Sequence, residues 1–135
     1  MSESKKTLVV LGGGESGVGA AILAKAKGMD VFVSDYGTIA PHYRQMLDEE
    51  NIEWEDGKHS MDRILAADEI VKSPGIAPTT PVMKAVAEKG IPVISEIEFA
   101  GRYTNAKMVC ITGSNGKTTT TLLTYHILKN AGINV

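Results

Sequence analysis

Short apolar, β-branched runs alternate along this chain with longer stretches in which apolar residues return at helical spacing. The runs at residues 7–11 (TLVVL), 31–34 (VFVS), 52–55, 69–72, 93–94 and 107–112 (KMVCIT) predict six strands. Between them, residues 17–27 predict a helix closed by Gly28, and residues 41–50 a helix with Pro41 at its permitted first position. A short helix is expected over 60–66. Thr80 is expected to cap a helix that starts at Pro81 and ends at Gly90. Ser95-x-x-Glu98 reads as a capping box opening another short helix. A last helix over 117–131 stops at Gly132.

Strands and helices alternating at this spacing imply parallel pairing, hence an α/β fold with a Rossmann-like, doubly wound parallel sheet. Ligands in such sheets bind beyond the carboxyl ends of the strands. The polar and glycine-rich segments after strands one, two, four and six are therefore the places where chemistry is expected. A polar break at residues 103–106 (YTNA) suggests a boundary. It separates a first domain, 1–104, from the opening strand and helix of a second α/β domain, 105–135.

Composition narrows the class. With 135 residues, 43 % hydrophobic and 22 % charged, the chain is long enough to bury one core. No apolar run reaches the ~18 residues of a membrane span, and no signal-peptide pattern opens the sequence. One cysteine, Cys110, excludes a disulfide framework; inside an apolar run it is expected to be buried and inert. The three histidines, His42, His59 and His126, share no metal spacing and are expected in solvated or capping roles. A cytoplasmic protein with neither nucleic acid nor membrane as partner is the expectation. The net charge of −2 hides an asymmetry: all sixteen acids lie within residues 1–98, and residues 99–135 carry only Arg102, Lys107, Lys117 and Lys129.

Gly12-Gly-Gly14-Glu-Ser-Gly17 fits G-x-G-x-x-G directly after a strand and at the start of a helix. Glycines there let backbone N–H groups approach a diphosphate at a helix N-terminus. Asp35 follows at the end of strand two, eighteen residues beyond Gly17, placed to accept from a ribose or a base. Glu15 fits a phosphate site only if its carboxylate points away. Read alone, this turn suits a nicotinamide cofactor, or no ligand at all.

Ile111-Thr-Gly113-Ser-Asn-Gly116-Lys117-Thr118 is the sharper signal. It follows a strand, opens a helix and carries Gly-Lys-Thr, although Ile111 stands where a strict phosphate loop has its first glycine. Backbone N–H groups would wrap phosphates, Lys117 would neutralise the β/γ charge, and the Thr118 hydroxyl would hold Mg²⁺. Phosphate-loop enzymes also place an acid after the loop to help hold magnesium. From Lys117 to Val135 there is none. The chain is therefore expected to be the truncated beginning of a larger ATP-using protein.

The stretches GGGESGVGAA, VFVSD, IVKSPGI, ISEIEFAGRY and CITGSNGKTTT, spread from end to end, resemble the Mur ligases, ATP-dependent amide-forming enzymes of peptidoglycan synthesis. KSPGI followed by SEIEF resembles the branch that adds D-glutamate; the L-alanine-adding branch stands second, and a nicotinamide-dependent oxidoreductase or NAD-binding module third. The resemblance implies a first domain that binds UDP-N-acetylmuramoyl-L-alanine instead of NAD. Gly14, Glu15, Ser16 and Gly17 would line the diphosphate, Asp35 and Tyr36 would approach the uracil, and Ser73 and Gly75 would touch the sugar-nucleotide. Gly113, Ser114, Asn115, Gly116, Lys117, Thr118 and Thr119 would hold ATP, with Thr118 on Mg²⁺ and Lys117 as the one catalytic residue present. Glu96 would be a lesser contributor near the substrate. The implied reaction activates a carboxylate as an acyl phosphate, which the D-glutamate amine attacks; the parent protein is expected to be monomeric and this piece inactive alone.

Overall fold

The computed structural model describes residues 5–135 and divides the chain into two compact units, Met1–Thr104 and Asn105–Val135. In the first, strands β1 (Thr7–Leu11), β2 (Asp30–Ser34), β3 (Glu53–Glu55), β4 (Glu69–Lys72) and β5 (Val93–Ser95) form one sheet in the order β3-β2-β1-β4-β5. Every neighbouring pair is parallel, as the alternating pattern predicts. Helices α1 (Glu15–Ala26), α2 (Pro41–Glu49), α3 (Met61–Ile64), α4 (Pro81–Lys89) and α5 (Glu96–Gly101) connect and follow the strands.

The two-residue period of the strands explains the layering. Leu8 and Val10 of β1, Val31 and Val33 of β2 and Val71 of β4 face one core, which α1, α2 and α5 cover with Val18, Ala21, Ala24, Leu47 and Phe99. Val9, Leu11, Phe32 and Ile70 point the other way into a second core closed by Ile64, Val82, Met83 and Val86 of α3 and α4. A sheet covered on both faces needs strands apolar at every position, which is why TLVVL and DVFVS read as runs and not as alternations. Each fully buried Leu, Val, Ile or Phe contributes about 1.5–3 kcal/mol.

At the amino-end edge, Glu69 is buried and accepts from Lys6 Nζ at 2.9 Å and from Arg102 at 2.9 and 3.1 Å, tying β4 to the residue before β1 and to the end of α5. Burial raises its pKa, but the bonds and charges of Lys6 and Arg102 outweigh this and hold the carboxyl below its ordinary range. Ser95 Oγ accepts from the Glu98 N–H at 3.1 Å, half of the expected capping box. Thr80 occupies the cap position of α4, but its hydroxyl donates to Ala77 O at 2.9 Å and caps nothing. The preceding Ala77 carbonyl lies within reach and satisfies it first.

The second unit contains α6 (Lys117–Asn130), preceded by Gly116 in the left-handed conformation at φ 76°. Two expectations are corrected here. Residues 107–112 form no strand, and Cys110 is exposed. A strand exists through ladder bonds to a neighbour, and among the described residues no strand pairs with this run. For the same reason no α6 residue is buried, and Val109, Leu122, Leu123 and Ile127 remain exposed.

Candidate functional site

Pairing puts the last residues of all five strands in one row, Glu55–Ser34–Leu11–Lys72–Ser95, at the carboxyl edge of the sheet. Here the strand order reverses: β1 is followed in sequence by β2 on one side and paired with β4 on the other. The loops leaving them diverge. Gly12 N–H donates to Ser34 O at 3.0 Å, while Ser73 N–H donates to Leu11 O at 2.9 Å. Between them opens a cavity of about 750 Å³ that five of the predicted residues line: Gly14, Asp35, Tyr36, Ser73 and Gly75. A crevice at the switch point of a parallel sheet is where such folds take nucleotides.

The glycines of the first loop divide into two kinds. A Cβ on Gly17 would lie 2.0 Å from Gly12 O, one on Gly13 would lie 2.5 Å from Ile39 Cγ1, and one on Gly12 would meet Ser73 Cβ at 2.8 Å. These three pack helix, loop and strand together. Gly14, the residue before α1, is exposed and a Cβ there would meet nothing within 4 Å. It is the one left open for a ligand to approach the helix N-terminus, where no side chain caps the N–H groups. Glu15 and Ser16 are exposed and Gly17 is buried, and none of the three is among the residues that line the cavity. Glu15 and Ser16 open α1, and Ser16 Oγ donates to the buried Glu96 Oε1 at 3.3 Å.

Asp35 lines the cavity with its carboxylate already engaged. Oδ2 accepts from Gly13 N–H at 2.6 Å and Oδ1 from Gly37 N–H at 2.7 Å. It fixes the glycine loop against the turn after β2, and Tyr36 beside it is 74 % exposed, an aromatic face with little packed on it. The ring of His59 lies 5.8 Å from that of Tyr36.

His59 lines the same cavity and was set aside in the sequence. Its Nδ1 is 2.7 Å from the fully buried Ser34 Oγ, which also lies 2.7 Å from Glu55 Oε1. Burial raises the Glu55 pKa, but hydrogen bonds from the Ser60 N–H and hydroxyl, from Ser34, and the charge of Lys58 bring it below its ordinary value, so Glu55 is ionised. Desolvation pushes His59 down, against the opposing pull of Glu55 and Asp35, and its pKa falls below the ordinary value. The signal for it was positional: residues 56–60 follow a strand at the same carboxyl edge as the loops that were nominated. Met61, Ile76 and Val82 also line the cavity, but an apolar lining residue has no sequence signature that separates it from core. Lys72 Nζ donates to Ser73 O and Ile76 O at 2.9 and 2.8 Å, holding the turn that carries Ser73 and Gly75.

In the second unit, Gly113 and Gly116 have φ of 151° and 76°, conformations open to glycine. Lys117 Nζ donates to Gly113 O at 2.7 Å, drawing the loop closed over the start of α6. No side chain caps α6 and no acid stands in its first turn, so its N–H groups are free for an anion. Residues 113–119 are thus adjacent in one loop and helix turn, all of them exposed.

The family of the Mur ligase MurD-like, N-terminal domain matches residues 6–95. The chain belongs to this family. Among relatives of this MurD-like domain, the protein of Bacteroides fragilis named UDP-N-acetylmuramoylalanine–D-glutamate ligase is 62 % identical over 130 residues, 96 % of this chain and 29 % of that protein. The Porphyromonas gingivalis protein of the same name is 60 % identical over the whole chain and 30 % of its own length. The chain therefore spans about three tenths of the relatives it matches. A pseudomurein peptide ligase type C from Methanothermus fervidus superimposes with TM-score 0.62 at 35 % identity, over 95 % of this chain and 27 % of that one. A murein peptide ligase from Psychrobacter arcticus gives TM-score 0.70 at 25 % identity, over 94 % and 27 %.

Proposed function

We propose that this MurD-like domain binds UDP-N-acetylmuramoyl-L-alanine and, with its second unit, supplies the ATP-phosphate loop of a ligase that joins D-glutamate to that substrate. One observation carries the reading: Gly14, Asp35, Tyr36, Ser73 and Gly75 surround a single cavity at the switch point. The names of the 60–62 % identical relatives support the substrate and the amino acid added.

In this reading the N–H groups at Gly14 and the start of α1 take the diphosphate, and Tyr36 covers the uracil. Ser73 and Gly75, braced by Lys72, contact the sugar-nucleotide. ATP supplies the phosphoryl group that activates the carboxylate. Gly113, Ser114, Asn115, Gly116, Lys117, Thr118 and Thr119 fit its phosphates, because the glycine conformations expose backbone N–H groups and the acid-free helix start favours negative charge. Thr118 would hold Mg²⁺, a hard cation suited to a hydroxyl oxygen. Lys117 would exchange the Gly113 carbonyl for a phosphate oxygen and stabilise the transferred charge. The reading takes the full-length protein to be a cytoplasmic monomer.

Calorimetric titration of the chain tests this. UDP-N-acetylmuramoyl-L-alanine is expected to bind and NAD to give no heat. NAD binding without a response to the uridine nucleotide would replace the ligase reading with that of a nicotinamide-binding module.

A further inference from the structure

His59 has two ring nitrogens in different circumstances. Nδ1 faces Ser34 Oγ, and Ser34 Oγ faces Glu55 Oε1, both at 2.7 Å. An ionised carboxylate only accepts, so the single Ser34 proton must point at Glu55. The Ser34 oxygen then accepts, and what it accepts is the Nδ1–H of His59. In the neutral ring this leaves Nε2 as a bare acceptor, with no hydrogen-bond partner among the described residues. The other acceptor at this end of the cavity, the Asp35 carboxylate, already takes the N–H groups of Gly13 and Gly37.

We propose that His59 is the base-reading residue of the cavity: Nε2, held as an acceptor by the Glu55–Ser34 relay, takes the N3–H of uracil lying against Tyr36. The inference rests on the uridine-nucleotide reading of the site and adds the atom that selects the pyrimidine. Uracil presents a donor at N3, whereas cytosine presents an acceptor there, so a fixed acceptor opposes cytosine by leaving two lone pairs face to face. Selectivity follows because an unmet polar group in a partly buried site costs more than a missing contact. The relay explains why a fully buried serine stands at the end of β2, where a valine would pack as well.

The test uses the 135-residue chain with UDP, CDP and 3-methyl-UDP as titrants. UDP is expected to bind about tenfold or more tightly than either of the others. His59→Phe, which keeps a flat ring and removes the acceptor, should bring the three within about twofold of each other. Ser34→Ala, which frees the tautomer, should narrow the gap partway. Equal binding of UDP and 3-methyl-UDP by the unaltered chain overturns the proposal without any variant having to fold. Survival of the preference in His59→Phe overturns it as well. Failure of UDP to bind at all removes the uridine-nucleotide reading together with this one, whereas UDP binding without the preference removes this one alone.

Discussion

Two glycine-rich loops open two helices in this chain, and they are held in different ways. In the first, tertiary contacts demand glycine: a Cβ on Gly12, Gly13 or Gly17 would strike Ser73, Ile39 or the Gly12 carbonyl within 3 Å. In the second, a Cβ on Gly113 would meet only Asn115 O at 3.9 Å, and one on Gly116 nothing. There glycine is required by backbone conformation alone. The difference teaches what a glycine-rich loop owes to its sheet: local sequence sets its dihedral angles, and packed strands fix its place.

The largest expected effect sharpens this contrast. Gly17→Ala should destabilise the first unit by about 3 kcal/mol, because the clash is with backbone and cannot be relieved by a rotamer change. Urea unfolding followed by the single tryptophan, Trp54 of β3, would measure it. A loss near zero would show that the α1–β1 packing is not what holds the loop. Next, Glu69→Gln should cost about 2 kcal/mol in the same assay, since it weakens charge-assisted bonds to a buried group. Gly116→Ala should cost about 1 kcal/mol, the penalty for a left-handed non-glycine residue, and only in the helicity of α6. A shift of the Trp54 transition by that change would break the comparison, because the second loop would then be supporting the first unit.

The pH dependence is smaller and acts on the first unit. His59 has its pKa lowered on folding, so the unfolded chain binds more protons near and below pH 6.5; stability is full above that range and declines as pH falls through it. Glu55 and Glu69 are also lowered, so a second decline begins below about pH 4.5, as the unfolded carboxylates protonate first. Ser34→Ala, which removes a hydroxyl that donates to Glu55, should weaken the acid sensitivity contributed by Glu55 and leave that of Glu69 intact, which thermal melts between about pH 3 and 6 would resolve.

The sheet was legible because both of its faces are covered. Strands such as TLVVL must then be apolar throughout, and the helices between them show where each ends. The sixth strand was misread for a related reason: KMVCIT has every local property of a buried strand, and local properties do not supply the neighbour that makes one. Cys110 was misplaced with it. Gly14, Asp35, Tyr36, Ser73 and Gly75 line one cavity, and their positions after strands are legible in the sequence. Glu15, Ser16 and Gly17 stand in the same motif but do not line the cavity, since a linear motif does not show where the loop ends and the helix begins. His59 carries no such signal, because its contacts with Ser34 and, through it, Glu55 exist only once β2 and β3 pair.

The central claim is that the cavity at the carboxyl ends of β1 and β4 receives a uridine-diphosphate sugar. Amide shift mapping of the chain during titration with UDP-N-acetylmuramoyl-L-alanine tests it most directly. Saturable shifts are predicted for Gly13, Gly14, Tyr36, Ser73 and Gly75, with the amides of α6 unmoved. Shifts confined to residues 113–119, or none at these five positions while NAD produces them, would contradict it.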